Sequence, residues 1–96
     1  VVINCPGYGA RALWQDETIV PVRGQIGWLI PQPEARYGLY YDGVNVISRR
    51  DGIVVQDVSG GDMHGYGDDN ETPDRAETEA ALAKLARLYG RIRAAA

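Results

Sequence analysis

The sequence predicts an α+β fold, in which an antiparallel β meander of about four strands is followed by one C-terminal amphipathic helix. Three observations support this prediction. Apolar residues recur at every second position between residues 18 and 58, two Asp-Gly pairs interrupt these runs, and leucines after position 73 recur at helical spacing. A further apolar strand precedes the sheet and has no partner in the chain.

The opening residues, Val1–Cys5, form an apolar, largely β-branched run that is typical of a strand buried inside a parallel sheet. Such a strand needs neighbours on both sides, and nothing later in the chain resembles a crossover partner for it. We therefore expect the chain to be an internal piece of a longer protein whose upstream part supplies those neighbours. Because an exposed apolar strand invites pairing, a homo-oligomer formed through this strand is a further expectation.

The four predicted strands alternate in hydrophobicity and are separated by turn residues. In chain order they are Thr18–Ile30, Tyr37–Tyr41, Val44–Arg49 and Ile53–Val58. Asp42-Gly43 predicts a type I′ hairpin between the second and third strands, because glycine tolerates the positive φ that this turn requires. Arg50-Asp51-Gly52 repeats the pattern before the fourth strand. Pro21 and Gly24 indicate an edge position or a bulge in the first strand.

A glycine-rich, acidic segment over residues 59–71 predicts a long surface loop before the helix. Thr72 suits the N-cap, Pro73 suits the first helical position, and Gly90 is the predicted stop. One apolar stripe runs down the helix and consists of Leu82, Leu85, Leu88 and Tyr89. The predicted helix therefore extends from Pro73 to Tyr89 and packs on one face of the sheet.

Composition excludes several classes of function. The chain has 96 residues, which is enough for one small domain. Its net charge of −3 does not indicate binding to nucleic acid. No apolar run approaches the roughly 20 residues of a membrane span, and no signal peptide is recognisable. The one cysteine, Cys5, cannot form an intramolecular disulfide and is expected to be a small buried hydrophobe. These features fit a reducing compartment, and we expect a cytoplasmic location.

Several residues admit both a structural and a functional interpretation. The segment Gly7–Ala12 fits a relaxed dinucleotide fingerprint, but no βαβ unit follows it, which favours a secondary backbone contact with a cofactor held mainly by other sequence. His64 lies among aspartates whose spacing matches no calcium loop, and no metal site is predicted. Arg49-Arg50 is interpreted as a solvated pair. Alternation sends Tyr40 and Tyr41 to opposite faces, so one can pack in the core while the other lines a pocket.

Two segments carry a resemblance to a known family. Val2-Ile3-Asn4-Cys5-Pro6-Gly7-Tyr8-Gly9-Ala10-Arg11, followed by Asp16 and by Val20-Pro21-Val22-Arg23-Gly24-Gln25, resembles the D-amino-acid oxidase family. That family reads approximately V-N-C-T-G-x-x-A, a short helix, an acid and then P-x-R-G-Q. The segment Val46–Val55 is similar to the family's hairpin, I-I-P-x-x-D-G-x-V, and Pro73-Asp74 opening an alanine-rich helix also matches. The resemblance covers nearly the whole chain.

The resemblance implies a division of the chain. Residues 1–17 would be the last strand and turn of a Rossmann-like FAD-binding domain, and residues 18–96 part of a substrate-binding domain whose sheet covers the flavin ring. Pro6 and Gly7 match the turn that lies against FAD, with Pro6 in place of threonine. Tyr41 and Asn45 match two tyrosines that shape the substrate pocket in the family. This chain therefore keeps the first of these tyrosines and has asparagine in place of the second. The family's Gly-Gly falls on Gln56-Asp57, which is a second departure.

The implied function is that of a fragment of an FAD-dependent oxidoreductase, which oxidises the C–N bond of a small-molecule amino acid or amine and passes a hydride to the flavin. FAD is expected in the full-length parent and not on this fragment alone, because the main dinucleotide site is missing. No catalytic residue is assigned. Two alternatives stay open: a stand-alone, non-catalytic binding or folding module of the same fold, and a flavin-dependent enzyme that acts on a substrate other than an amine.

Overall fold

The computed structural model describes all of residues 1–96. Its elements, after a 3-10 turn at Gly7–Gly9, are α1 (Ala10–Trp14), β1 (Gly27–Leu29), β2 (Gly38–Tyr41), β3 (Val44–Arg49), β4 (Gly52–Asp57) and α2 (Arg75–Ala95). The four antiparallel strands and the C-terminal helix confirm the predicted α+β class. No helix combines the length and the hydrophobicity that a membrane crossing requires.

The strands form one antiparallel sheet in the spatial order β1-β4-β3-β2. Strands β2, β3 and β4 are joined by tight hairpins and form a meander. The first strand differs from a simple meander, because β1 pairs with β4 and not with β2; Trp28 lies opposite Val54. Strands β1 and β2 are therefore the two edges of the sheet. The segment 30–37, which joins them, spans the width of the sheet.

The hairpin between β2 and β3 is the type I′ turn that its Asp-Gly pair predicts. Asp42 has a φ of 48° and Gly43 a φ of 74°, so both central residues have a positive φ. A Cβ on Gly43 would come within 2.6 Å of the Ser59 Cβ, and Gly43 O accepts a hydrogen bond from Val58 N at 2.7 Å. The turn is thus packed against the chain that leaves β4.

The hairpin between β3 and β4 uses its glycine differently from the prediction. Arg49 pairs with Gly52, so the two turn residues are Arg50 and Asp51, and neither has a positive φ. Gly52 instead leaves room for Trp28, because a Cβ at position 52 would lie 2.3 Å from Trp28 Nε1. Glycine is required here by the packing of β1 beside β4 and not by the turn.

Helix α2 packs on one face of the sheet and closes a small core. Val44 and Val55 from the sheet and Ala81 from the helix are each at most 1% exposed. Ile53 and Leu85 complete the buried cluster. Burying these apolar side chains supplies the main force that holds the helix on the sheet.

One partly shielded ion pair also joins α2 to the sheet. Lys84 Nζ lies 2.9 Å from Asp57 Oδ2 and donates a second hydrogen bond to Asp42 O at 3.1 Å. Asp57 Oδ1 accepts from the hydroxyl of Ser59 and from Ser59 N, the latter at 2.8 Å. The Ser59 hydroxyl and then Lys84 lower the pKa of Asp57 from 3.8 to about 2. The side chains of Asp57 and Lys84 are 17% and 22% exposed.

Both ends of α2 differ from the prediction. The N-cap is Asp74 and not Thr72; the Asp74 carboxylate accepts a hydrogen bond from Glu77 N at 3.2 Å. The helix also continues through Gly90 to Ala95. The residues after Gly90 include arginine and alanine, which favour a helix, and one interior glycine costs only about 1 kcal/mol relative to alanine. Glycine alone therefore does not end this helix.

The first strand is much shorter than predicted. Of the predicted strand, Thr18–Ile30, only Gly27–Leu29 pairs in the sheet. Upstream, Val22 forms an isolated antiparallel bridge with Tyr66 in the glycine-rich loop. The backbone at the start of the predicted strand is therefore bonded to the loop and is not available to β4.

The opening residues, Val1–Cys5, form no strand, and all of them are exposed. A strand needs a hydrogen-bonded neighbour, and no segment of this chain provides one. Cys5 is a free, exposed thiol, so the prediction of a small buried hydrophobe is wrong for this chain. The Rossmann-like strand and the domain boundary after residue 17 stay predictions.

Candidate functional site

The sheet has one covered face and one open face. Helix α2 covers the face that carries Val44 and Val55. Side chains alternate along each strand, so the intervening residues point to the opposite face, which we call the open face. On it, Trp28 is 54% exposed, Tyr40 is 69% exposed and Ile47 is 48% exposed. An exposed group of large side chains marks a surface that contacts a ligand or another part of a protein.

Three polar side chains form a row across the open face. Asn45 on β3 lies directly opposite Tyr40 on β2 and directly opposite Gln56 on β4. We call Tyr40, Asn45 and Gln56 the polar row. None of their side chains takes part in a hydrogen bond within the chain. Their donors and acceptors are therefore available to another molecule.

An apolar row lies beside the polar row on the same face. It consists of Ile47, Val54 and Trp28, which are paired across β3, β4 and β1. The Arg49 guanidinium lies 5.2 Å from the centroid of the Trp28 ring, and Trp28 Nε1 donates to Asp51 O at 3.3 Å. These contacts fix the indole at one end of the row. The open face thus offers a flat apolar surface next to uncharged hydrogen-bonding groups.

The predicted substrate residues, Tyr41 and Asn45, lie on opposite faces. Tyr41 pairs with Val44 and points to the face that α2 covers, where it is half-buried. Asn45 belongs to the open face, and the tyrosine beside it is Tyr40. The structure therefore separates the two residues, although the substrate role of each stays a prediction. Side-chain alternation decides which tyrosine faces outward, and the sequence indicated that Tyr40 and Tyr41 would differ in this way.

The predicted cofactor residues, Pro6 and Gly7, form a tight turn before α1. Gly7 has a φ of 54°, and a Cβ at this position would meet no atom within 4 Å. Pro6 O accepts a hydrogen bond from Gly9 N at 3.0 Å. Helix α1 ends at Trp14 and leads to an antiparallel sheet, so the segment does not open a βαβ unit. The open space beside Gly7 is compatible with a molecule packed against backbone, and both cofactor roles stay predictions.

The Arg23–Gln25 motif has a structural role that sequence reasoning missed. Arg23 Nη2 donates to Thr72 O at 2.9 Å, and its guanidinium lies 3.7 Å from Asp68 Oδ2. Gln25 Oε1 accepts from Asp74 N at 2.9 Å. The motif therefore joins the segment before β1 to the acidic loop and to the N-cap residue of α2. No local pattern in the sequence reports these contacts, because their partners are far away in the chain.

The other candidate residues form no site. His64 Nε2 lies 3.8 Å from Glu77 Oε1, and no group of three metal-ligating side chains occurs in the chain. Arg49 is engaged by Asp51 at 3.1 Å as well as by Trp28. This contact is local to the hairpin, and the Arg49-Arg50 pair remains exposed, as the sequence indicated.

Comparison with known proteins gives two matches. The sequence model of the family described as FAD dependent oxidoreductase matches residues 1–96. A D-amino acid oxidase from Dugesia ryukyuensis is 44% identical over 55 residues, which are 57% of this chain and 16% of that protein. No solved structure matches the chain. Because the family model covers the whole chain, the protein belongs to the family of FAD-dependent oxidoreductases.

Proposed function

We propose that the chain is part of an oxidoreductase that oxidises the C–N bond of an amino acid or an amine. The observation that carries the proposal is the open face, where an apolar row and an uncharged polar row lie side by side with no covering element in the chain. Membership of the FAD-dependent family and the similarity to a protein named D-amino acid oxidase support the same assignment.

The residues of the open face fit a planar cofactor. Ile47, Val54 and Trp28 present apolar side chains at one level above the sheet, and neighbouring strands lie about 4.8 Å apart, so the row is wide enough for a fused ring system. The turn at Gly7 would offer backbone without a Cβ in the way. When bound, FAD supplies the hydride acceptor for the carbon that carries the substrate nitrogen.

In this proposal the chain positions the reactants and excludes water from one side of them. The amide side chains of Asn45 and Gln56 neither accept nor release a proton, but they orient a bound molecule through hydrogen bonds. A proton released from the substrate amine must therefore go to solvent or to a group in the rest of the parent protein. The contribution of this chain to the rate is binding and orientation.

The proposal is tested by mixing the full-length protein with candidate substrates in the absence of oxygen and following the flavin absorbance. D-amino acids or a secondary amine should bleach the flavin, whereas 2-hydroxy acids of the same size should not. Bleaching by the hydroxy acids alone would replace the proposal with a non-amine oxidoreductase. A full-length protein that binds no flavin would support the non-catalytic module.

A matched pair of variants tests the role of the open face. Ile47→Arg places a charge on the apolar row and should weaken flavin binding at least tenfold, because the guanidinium would lose water against the ring. Ala83→Arg places the same charge on the exposed side of α2 and should leave flavin binding unchanged. Equal flavin affinity in both variants would contradict the placement of the cofactor on the open face.

A further inference from the structure

The polar row carries an inference about substrate class, which rests on the proposed function. Tyr40, Asn45 and Gln56 project from three adjacent strands, so the outer two are separated by about 10 Å at the backbone, with Asn45 between them. All three side chains both donate and accept hydrogen bonds, and none is engaged within the chain. A molecule that lies on this row meets a continuous strip of uncharged polar groups.

The cationic side chains near the row are already engaged by protein partners. Arg49 is four residues from Asn45 along β3, about 13 Å away, and its guanidinium is held by Asp51 and Trp28. Asp57 follows Gln56 but points to the helix side, where it pairs with Lys84.

A second cation lies near the Gln56 end of the row. Arg23 lines the cleft beside Gln56, but its guanidinium donates to Thr72 O and lies near Asp68. An acidic group on a substrate would therefore find no free cation at the row. The carboxylates of Asp42, in the turn after β2, and of Asp62, in the cleft beside Gln56, are in no ion pair and would not repel a basic group.

We propose that Tyr40, Asn45 and Gln56 determine specificity for substrates with an uncharged hydrogen-bonding side chain, such as a carboxamide or a hydroxyl. A carboxamide can both donate to and accept from the amides of the row. An aliphatic side chain of the same size leaves these amides without partners, and an acidic side chain loses water without gaining a counter-ion. Gln56 and Tyr40 thereby join Asn45 as residues that distinguish substrates, and Tyr41 on the covered face does not.

The test compares substrates that differ in one group, in the full-length enzyme. For the unsubstituted protein we expect kcat/KM to be highest for D-glutamine or D-asparagine and lower for D-leucine and D-glutamate. Gln56→Leu should lower the ratio of kcat/KM for D-glutamine to that for D-leucine about 10-fold, as expected for one hydrogen bond that is lost with its partner left unpaired. Tyr40→Phe should lower the ratio in the same direction.

Two control variants remove the same groups elsewhere. Gln32→Leu and Tyr89→Phe change exposed side chains that line the cleft on the helix side of the sheet and should leave the ratio unchanged. Asn45→Asp, which is nearly isosteric, should raise the preference for D-lysine over D-glutamate. This gain cannot arise from misfolding.

Several outcomes decide between the proposals. An active enzyme whose ratios are unchanged in Gln56→Leu and Tyr40→Phe would overturn the inference and leave the proposed function standing. A fall in FAD affinity with unchanged ratios would also overturn it, because the row would then contact the cofactor. If no amine reduces the flavin of the unsubstituted protein, the proposed function itself fails, and the inference fails with it.

Discussion

Removing the positive charge of Lys84 tests how helix α2 is held on the sheet. Lys84→Met keeps most of the apolar stem but removes the ammonium that lies 2.9 Å from Asp57 Oδ2. Asp57 then keeps only its hydrogen bonds from Ser59, and Asp42 O loses a donor. We expect the variant to unfold more easily than the unsubstituted chain at neutral pH.

The pKa of Asp57 sets the size of the effect. A lowering from 3.8 to about 2 corresponds to about 2.4 kcal/mol if all of it acts on folding. Ser59 supplies the largest share and Lys84 the next, and partial exposure screens the ion pair. The loss of Lys84 alone should therefore cost about 1 kcal/mol. A carboxylate with a lowered pKa stabilises the fold above pH 3.8, and this stabilisation is lost as the pH falls through about 2.

The assay is urea unfolding, followed by circular dichroism at a series of pH values from 7 downward. The difference in unfolding free energy between the unsubstituted chain and Lys84→Met should be constant above about pH 5 and should shrink as the pH approaches 2. In an Asp57→Asn background, the effect of Lys84→Met should not depend on pH. A difference that stays constant down to pH 2.5 would refute the assignment of the stabilisation to this ion pair.

Three further substitutions test other parts of the chain. Gly43→Ala should destabilise the sheet by about 1–2 kcal/mol, because φ is 74° and the new Cβ would come within 2.6 Å of Ser59; thermal unfolding should show a lower Tm, with Gly9→Ala as a neutral control. Asp74→Ala should cost about 1 kcal/mol in urea unfolding, whereas Asp74→Ser should restore most of this loss through its own cap. In the full-length protein, Gly7→Val should weaken FAD binding at least tenfold, and the 96-residue chain should be colourless and bind FAD more weakly than micromolar; a flavin titration that shows micromolar binding by the chain would contradict this.

The parts of the fold that depend on local sequence could be predicted. The Asp42-Gly43 turn needs only two residues with a positive φ, and the structure has both. The apolar stripe likewise places α2 on the sheet. The helix end that Gly90 predicts is wrong, because the cost of one glycine is small against the helix propensity of the residues after it. The pairing of β1 with β4 could not be predicted, because strand order depends on contacts between distant residues.

The same distinction applies to the candidate site. Alternation predicts that Tyr40 and Tyr41 face opposite sides, but it does not say which side the helix covers. The exposure of Tyr40 and its position opposite Asn45 follow from the register of the hairpin. In the sequence, Gln56 stands out only as a departure from the family pattern. Its place in the polar row depends on the β3–β4 register, which the two-residue turn fixes.

The contacts of Arg23 and Gln25 also set an order of folding. The two hairpins close over two-residue turns, and such hairpins form within about 1–10 μs. In contrast, the hydrogen bonds from Arg23 to Thr72 O and from Asp74 N to Gln25 each join residues 49 positions apart. Contacts between such distant residues form slowly, because closing the loop costs entropy before the contacts are made. During synthesis on a ribosome, the segment before β1 can therefore make these two contacts only after the start of α2 has emerged, whereas β1 can pair with β4 as soon as β4 has emerged.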